Sequence, residues 1–190
     1  MKKLLFLILF SIPFFSFSQT SIELLRSNFP FVDDRVVYQD IVDLKTPINA
    51  SEIYKKARLW MVDTFYSSKD VLQVEDKENA TLIAKSFLNI AHNDGVIGKD
   101  WFTLKIEAKD GKYRYTIYDI RYEWSVVNFT ANDPIESWIP GSGQIKLKEK
   151  DLEKPRSREL VNNFYKTLNS EFMKTLKSLQ IAIEKQETNW

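Results

Sequence analysis

Residues 101–124, WFTLKIEAKDGKYRYTIYDIRYEW, alternate apolar and polar side chains on both sides of Asp110-Gly111. Such a pair tolerates the positive φ angles of a two-residue hairpin turn. The pattern therefore predicts two long antiparallel strands in which Lys109 lies opposite Lys112. It is the clearest strand signal in the chain, and it indicates a fold built on an antiparallel sheet.

The two faces of this predicted hairpin differ in character. One face is expected to be core and carries Phe102, Leu104, Ile106, Ala108, Tyr113, Tyr115 and Ile117. The other face is polar near the turn, and farther out it carries Trp101, Tyr118, Ile120, Tyr122 and Trp124. Trp and Tyr combine a large contact area with a polar group, which suits a recognition surface. Trp101, Tyr118, Tyr122 and Trp124 are therefore the candidate ligand or partner residues, unless residues 125–150 bury them.

Two amphipathic helices are predicted. Asn49 followed by Glu52 is a helix-capping arrangement, and the apolar residues behind it recur at three- and four-residue steps, which predicts a helix over 50–67. A second stripe near the C-terminus predicts a helix over 157–187, about 45 Å long at 1.5 Å per residue. Two interpretations of this second helix stay open: its stripe faces the core, or it binds a partner.

The remaining segments are predicted from β-branched runs and from Pro and Gly content. Strands are expected over 35–44, 71–76 and 80–93, the last one bulged because its alternation slips. A connecting loop is expected over 94–100, and an irregular excursion over 125–156 with at most a short strand near 144–147.

Residues 1–18 have the features of a secretory signal peptide. A short basic start precedes a largely apolar run, and Ser16 and Ser18 occupy the positions that a signal peptidase recognises. A membrane anchor needs about 20 apolar residues, so retention as an anchor is the less favoured alternative. We expect cleavage after Ser18 and a periplasmic or secreted protein. Residues 19–34 are then an N-terminal arm or linker before a single domain over 35–190.

Charge and cysteine content exclude several classes of function. The chain has 27 basic and 26 acidic residues, and loss of residues 1–18 removes two lysines and no acid. A duplex partner would require an excess of Lys and Arg on one face, so no nucleic-acid partner is expected. The absence of Cys excludes disulfides, thiolate chemistry and Cys-based metal sites.

No catalytic signature is present in the sequence. His92 is the single histidine, whereas zinc sites use three or four protein ligands. There is no Gly-x-Ser-x-Gly motif, and the acidic residues show no spacing that gathers them on one face. We expect no catalytic residue, metal or cofactor. A hydrolase that uses only Asp and Glu stays an alternative, because the distances between carboxyl groups are set by the tertiary fold.

Three segments carry a family resemblance: VVYQDIVDLKTPINASEIYKKARLWMVDTF, VLQVEDKENATLIAKS and GKYRYTIYDI. They resemble the exported bacterial proteins grouped as DUF4468, a domain of unknown function with a TBP-like fold. The resemblance spans 35–124 and includes Tyr54 and Trp60 on the first predicted helix. This chain departs from the family pattern at Asn79-Ala80, where a glycine commonly begins the second strand of the pair. The resemblance implies a curved antiparallel sheet with helices on one side, and it implies no activity.

These observations together predict a single exported α+β domain with about five antiparallel strands. We expect a non-catalytic binding or assembly module of the cell envelope that uses its open sheet face or its C-terminal helix. The partner would be a protein, a peptide or another envelope component, and no transmembrane span would remain after signal cleavage. A structural protein that self-associates through 157–187 is a further alternative.

Overall fold

The 101–124 hairpin lies at the centre of an antiparallel sheet that two helices cover on one face. The structure, a computed structural model, describes residues 20–65, 71–91, 97–126, 129–140 and 147–185. The strands are β1 (Phe31–Val32), β2 (Arg35–Val36), β3 (Tyr38–Asp43), β4 (Leu72–Asp76), β5 (Thr81–Ala91), β6 (Ile97–Lys109), β7 (Lys112–Val126) and β8 (Phe129–Pro134). The helices of the described ranges are α1 (Thr20–Asn28), α2 (Ala50–Thr64) and α3 (Pro155–Glu184), with 3₁₀ turns at Ile135–Ser137 and Glu149–Glu153.

The main sheet has six strands in the order β3-β7-β6-β5-β4, with β8 paired to the far half of β7. The predicted α+β class and antiparallel arrangement are confirmed. The predicted turn is also present, because Lys109 pairs with Lys112 and Gly111 has a φ of 74°. Only β1 and β2 lie outside this sheet, where they pair with each other around a tight turn at Asp33-Asp34.

A bulge at Asp119 divides β7 into two halves. The register of β6 against β7 shifts between Trp101 and Thr103, so that two residues of β7 lie opposite one residue of β6. Asp119 takes a φ of 51° at this point. Because side chains alternate along a strand, one extra residue moves every later side chain to the other face. Ile120 and Tyr122 therefore lie in the core, and their predicted place on the outer face is wrong.

Several other strand boundaries differ from the predictions. The bulge expected in the second strand of the first pair lies in the first one, between Leu72 and Val74 of β4. Residues 97–100 are strand and not loop, because β6 begins at Ile97. The excursion predicted over 125–156 is wrong at its start, where β8 pairs with β7. The FTANDP sequence of β8 alternates apolar and polar residues over only four positions and ends in the turn-forming residues Asn-Asp-Pro, so this strand depends on the partner it pairs with.

Helix α2 begins as the capping arrangement predicts. The side chain of Asn49 accepts a hydrogen bond from the Glu52 amide at 2.8 Å. A second orphan amide, that of Ala50, donates to Oδ1 of Asp110 at 2.8 Å, which ties the hairpin turn to the start of the helix. The apolar stripe of α2 is buried against the sheet and consists of Ile53, Tyr54, Ala57, Trp60 and Met61.

Helix α3 faces the core along its whole length, which confirms the core-facing interpretation. It begins two residues earlier than predicted and ends at Glu184. Its buried residues are Val161, Phe164, Tyr165, Leu168, Phe172, Leu176, Leu179 and Ile183. Although α3 has 30 residues, it is amphipathic, and no helix within the described ranges is apolar enough to cross a membrane.

The segment before β3 is docked on the domain, so the linker alternative for 19–34 is wrong where this segment is described. Leu25 and Phe29 are buried, and the Phe29 ring meets that of Tyr165 edge-on at 5.4 Å. Asn28 donates from its side chain to Oδ1 of Asn162 at 2.9 Å. These contacts join α1 to α3. The predicted signal peptide, residues 1–18, lies outside the described residues.

Candidate functional site

The sheet face opposite α2 and α3, here called the open face, carries the candidate site. It is defined by Ile83, Lys85 and Phe87 of β5, Lys99, Trp101 and Lys105 of β6, and Tyr118, Arg121 and Glu123 of β7. All of these side chains are partly or fully exposed. The described helices bury the other face, where β6 alone contributes Phe102, Leu104, Ile106 and Ala108.

An aromatic pair lies at the centre of the open face. Phe87 and Trp101 are cross-strand partners, and their ring centroids are 4.9 Å apart with an interplanar angle of 55°. The Lys99 Nζ lies 5.0 Å from the Phe87 centroid and 6.0 Å from the Trp101 centroid. A cation at this distance is attracted to the negative face of a ring. The pair is therefore a rigid platform with a positive charge beside it.

Polar contacts hold the indole of Trp101 in place. Its Nε1 donates a hydrogen bond to Oε2 of Glu123 at 2.7 Å, and the other carboxylate oxygen of Glu123 lies 3.6 Å from Nζ of Lys99. Lys99 and Glu123 are themselves cross-strand partners. The polar edge of the indole is thus already satisfied, and what it offers a ligand is its ring surface.

A second group of polar contacts lies where the bulge raises Asp119 from the strand. Its carboxylate lies 3.9 Å from Nζ of Lys85 and 3.8 Å from Nη1 of Arg121. Arg121 also donates to Oδ1 and to the backbone oxygen of Asn132, each at 2.7 Å. Arg121 is therefore oriented by both β7 and β8, so its guanidinium has a fixed position beside the aromatic pair.

A shallow pocket of about 160 Å³ lies on the same face at the turn end of the hairpin, lined in part by Ile41, Glu107 and Arg114. Partial burial acts to raise the pKa of Glu107, but hydrogen bonds from Lys105 and Arg114 outweigh burial and hold that pKa below its usual range. Glu107 is therefore ionised at neutral pH. An ionised carboxylate can make electrostatic contacts with a ligand, but it has no proton to donate.

The four sequence-predicted residues do not form one cluster. Trp101 and Tyr118 lie on the open face. Tyr122 is 2% exposed, and its ring packs in the core 4.9 Å from that of Trp138. A Cβ added at Gly98 would approach the Tyr122 ring to 2.4 Å, so the absence of a side chain there makes room for this buried tyrosine. The backbone of Trp124 pairs with that of Ala131, and its side chain lies outside the described residues.

Sequence reasoning missed the partners of Trp101. The place of Phe87 on the open face could be predicted from the alternation of β5. Lys85, Phe87 and Asn89 lie on one face of this strand, opposite the buried Ala84 and Ile90. The place of Glu123 on the open face could not be predicted from alternation, because it depends on the bulge at Asp119. Within the described ranges, no three His, Cys, Asp or Glu side chains come together in a way that could hold a metal ion.

Comparisons with known proteins identify the fold. Residues 38–123 match the model of a family described as a domain of unknown function (DUF4468) with TBP-like fold. A TBP-like protein from Parabacteroides distasonis has a crystal structure that is similar over 80% of this chain and 96% of that one, with a TM-score of 0.57 and 18% identity. A DUF4468 family protein from Bacteroides ovatus is similar over 85% and 94%, with a TM-score of 0.55 and 14% identity. No curated protein matches the sequence.

Proposed function

We propose that the protein, whose residues 38–123 match the model of the DUF4468 family with TBP-like fold, is a non-catalytic binding or assembly module that is exported to the periplasm or secreted. Its open face would contact a protein, a peptide or another envelope component. The observation that carries this proposal is the partly exposed Phe87–Trp101 pair, which polar contacts hold at the centre of a sheet face that the described helices leave uncovered.

The chemistry of the open face supports recognition by stacking and shape. Tight contacts in protein interfaces concentrate on a few rigid aromatic and Arg side chains. Trp101 is held by Glu123, and Arg121 by Asn132, so binding would order few additional side chains. Less conformational entropy is lost on binding when the contacting groups are already fixed.

The alternative of self-association through the C-terminal helix has less support. The apolar stripe of α3 is buried in this chain's own core. Its exposed apolar residues, Met173 and Ile181, are separated by two turns of helix. The alternative of an Asp/Glu hydrolase stays a prediction, because it depends on the distance between two carboxyl groups in a cleft.

Affinity purification from cell envelopes tests the proposal. We expect the mature chain to retain a specific partner and the double variant Phe87→Ala/Trp101→Ala to lose it. The matched control is Ile41→Ala/Ile83→Ala, which removes two apolar side chains from the same face but leaves the aromatic pair. Thermal melting shows whether each variant is folded. Capture of the same partner by a folded aromatic double variant would rule out the open face as the binding surface.

A further inference from the structure

A polar cleft, separate from the open face, lies between α2 and the edge strand β4. Ser51, Tyr54, Lys55 and Arg58 of α2 line it together with Glu75 and Lys77, and they enclose about 530 Å³. The four helix residues are spaced at i, i+3, i+4 and i+7, which places them on one face of α2. This volume lies within the usual range for small-ligand sites.

The most unusual feature of this cleft is the buried hydroxyl group of Tyr54. Tyr54 is 5% exposed, and its hydroxyl oxygen is buried without a hydrogen-bond partner among the residues that the structure describes. A buried polar group without a partner is unfavourable, and such groups call for a physical reason. Burial, followed by the negative charge of Glu75, raises the pKa of this phenol, so it stays protonated and can donate a hydrogen bond.

The charges of the cleft do not balance. Arg58 is hydrogen-bonded to Glu75 through Nε, and its Nη2 lies 3.4 Å from the second carboxylate oxygen. Lys55 and Lys77 are exposed and form no ion pair with any residue in the described ranges. The lining residues therefore carry three positive charges and one negative charge, beside a hydroxyl donor that has no acceptor among the described residues.

We propose that this cleft binds a phosphate monoester group. A phosphate monoester carries close to two negative charges at neutral pH and presents three acceptor oxygens, which match the excess positive charge of the lining and the donors of Tyr54 and Arg58. Lys55 and Arg58 of α2 and Lys77 of the turn after β4 supply donors from two sides of the cleft. Glu75 is hydrogen-bonded to Arg58 and competes with the phosphate for it. The group belongs either to a small soluble molecule or to a lipid headgroup.

Two probes distinguish these sources. Titration calorimetry of the mature chain with glycerol 3-phosphate tests a soluble monoester, and co-sedimentation with phosphatidylcholine vesicles that contain phosphatidic acid tests a lipid. We expect saturable binding of at least one probe. We also expect Lys55→Gln/Lys77→Gln to weaken it at least tenfold, and Trp101→Ala to leave it unchanged, so that this site and the open face are tested separately.

Two conservative variants and a charge control complete the test. Tyr54→Phe removes only the hydroxyl; we expect several-fold weaker binding with an unchanged or higher melting temperature. Glu75→Gln removes the competing charge, and we expect tighter binding. The control Lys150→Gln/Lys166→Gln removes two exposed lysines elsewhere, and it should bind as the wild type does. Absence of binding to both probes, or equal weakening by the control, would overturn the proposal.

Discussion

Asp119 lies in the left-handed region of backbone space, at a φ of 51°, where L residues other than Asn and Asp are seldom found. This one residue sets the face of every side chain that follows it in β7. As a result, the Tyr122 side chain lies in the core, and the Glu123 side chain lies on the open face, where it accepts a hydrogen bond from Trp101. Sequence alternation predicted the half of the hairpin near the turn, because the period of two is local. The far half is ambiguous from sequence, because the apolar positions of TIYDIRYEW change from odd to even after Ile117, which fits either an aromatic outer face or an extra residue.

The backbone at Asp119 leads to a testable difference between two substitutions. Asp119→Gly removes ion pairs that are exposed, about 4 Å long and therefore weak, and glycine adopts positive φ freely. We expect the free energy of unfolding to change by less than about 0.5 kcal/mol. Asp119→Val places a β-branched residue there and should cost about 1–2 kcal/mol. Urea denaturation of both variants measures the difference, and equal stabilities would contradict this reading of the bulge.

Asp100 is the second residue whose environment has a measurable consequence. Its side chain is 1% exposed, faces the core opposite Tyr122, and has no hydrogen-bond partner among the described residues. Burial raises the pKa of this carboxyl well above its usual range. A carboxyl whose pKa is raised by folding contributes its full stability below the unfolded pKa, about 3.9, and that stability declines as pH rises toward the folded pKa.

Asp100→Asn should therefore stabilise the protein in a pH-dependent way. The amide cannot ionise, so the penalty of a buried negative charge is absent at pH 7. We expect the variant to exceed the wild type in free energy of unfolding at pH 7, and the difference to shrink toward pH 4. Guanidinium titrations at the two pH values measure it. A difference that stays constant between them would show that folding does not raise the pKa of this carboxyl.

At the scale of elements, the helices were predictable and the last strand was not. The capping pair Asn49 and Glu52 and the three- and four-residue steps behind it are local signals, and the structure reproduces the start of α2 at Ala50. β8 exists because the far half of β7 offers it unpaired backbone groups. These unpaired groups come together only in the folded sheet, so the sequence of β8 alone does not predict a strand.

The C-terminal helix provides a prediction at this scale. Deletion of residues 157–190 would remove the buried stripe of α3, and each buried large apolar side chain contributes about 1.5–3 kcal/mol. For the eight buried residues of this stripe the loss is about 12–24 kcal/mol, which matches or exceeds the stability of an ordinary domain, about 5–15 kcal/mol. We expect the truncated chain to lose its cooperative unfolding transition, as followed by circular dichroism. A folded, soluble monomer would instead favour the view that α3 serves assembly.

The described parts of the chain form two layers, in which the helices cover one sheet face and leave the other uncovered. Composition and charge argued against nucleic acid, and the family resemblance implied the layered sheet, which the fold confirms. The outward direction of Phe87 and Trp101 follows from strand alternation, but their pairing could not be predicted, because it depends on the register of β5 against β6. The cleft beside Tyr54 could not be predicted either, since it depends on how α2 packs beside β4, the strand that follows it in the chain.

Export is a property of the whole chain, and mass spectrometry tests it directly. We expect expression of the full chain in a bacterium with two membranes to give a periplasmic or secreted product that begins at Gln19, because residues 1–18 carry the signal-peptide pattern. A cell fractionation assay with a variant in which Lys2 and Lys3 are changed to Glu is the control. An intact, cytoplasmic wild-type chain would contradict the proposed location.

The hydrogen bond from the Ala50 amide to Asp110 has a consequence for the order of folding. The two residues are 60 positions apart, so this bond forms only after the hairpin has closed beside the start of α2. Gly111 joins the same contact by donating its amide to the Ile48 carbonyl at 2.9 Å. The hairpin turn and the start of α2 should therefore open as one cooperative unit, and in hydrogen exchange the amides of Ala50 and Gly111 should share a single protection factor.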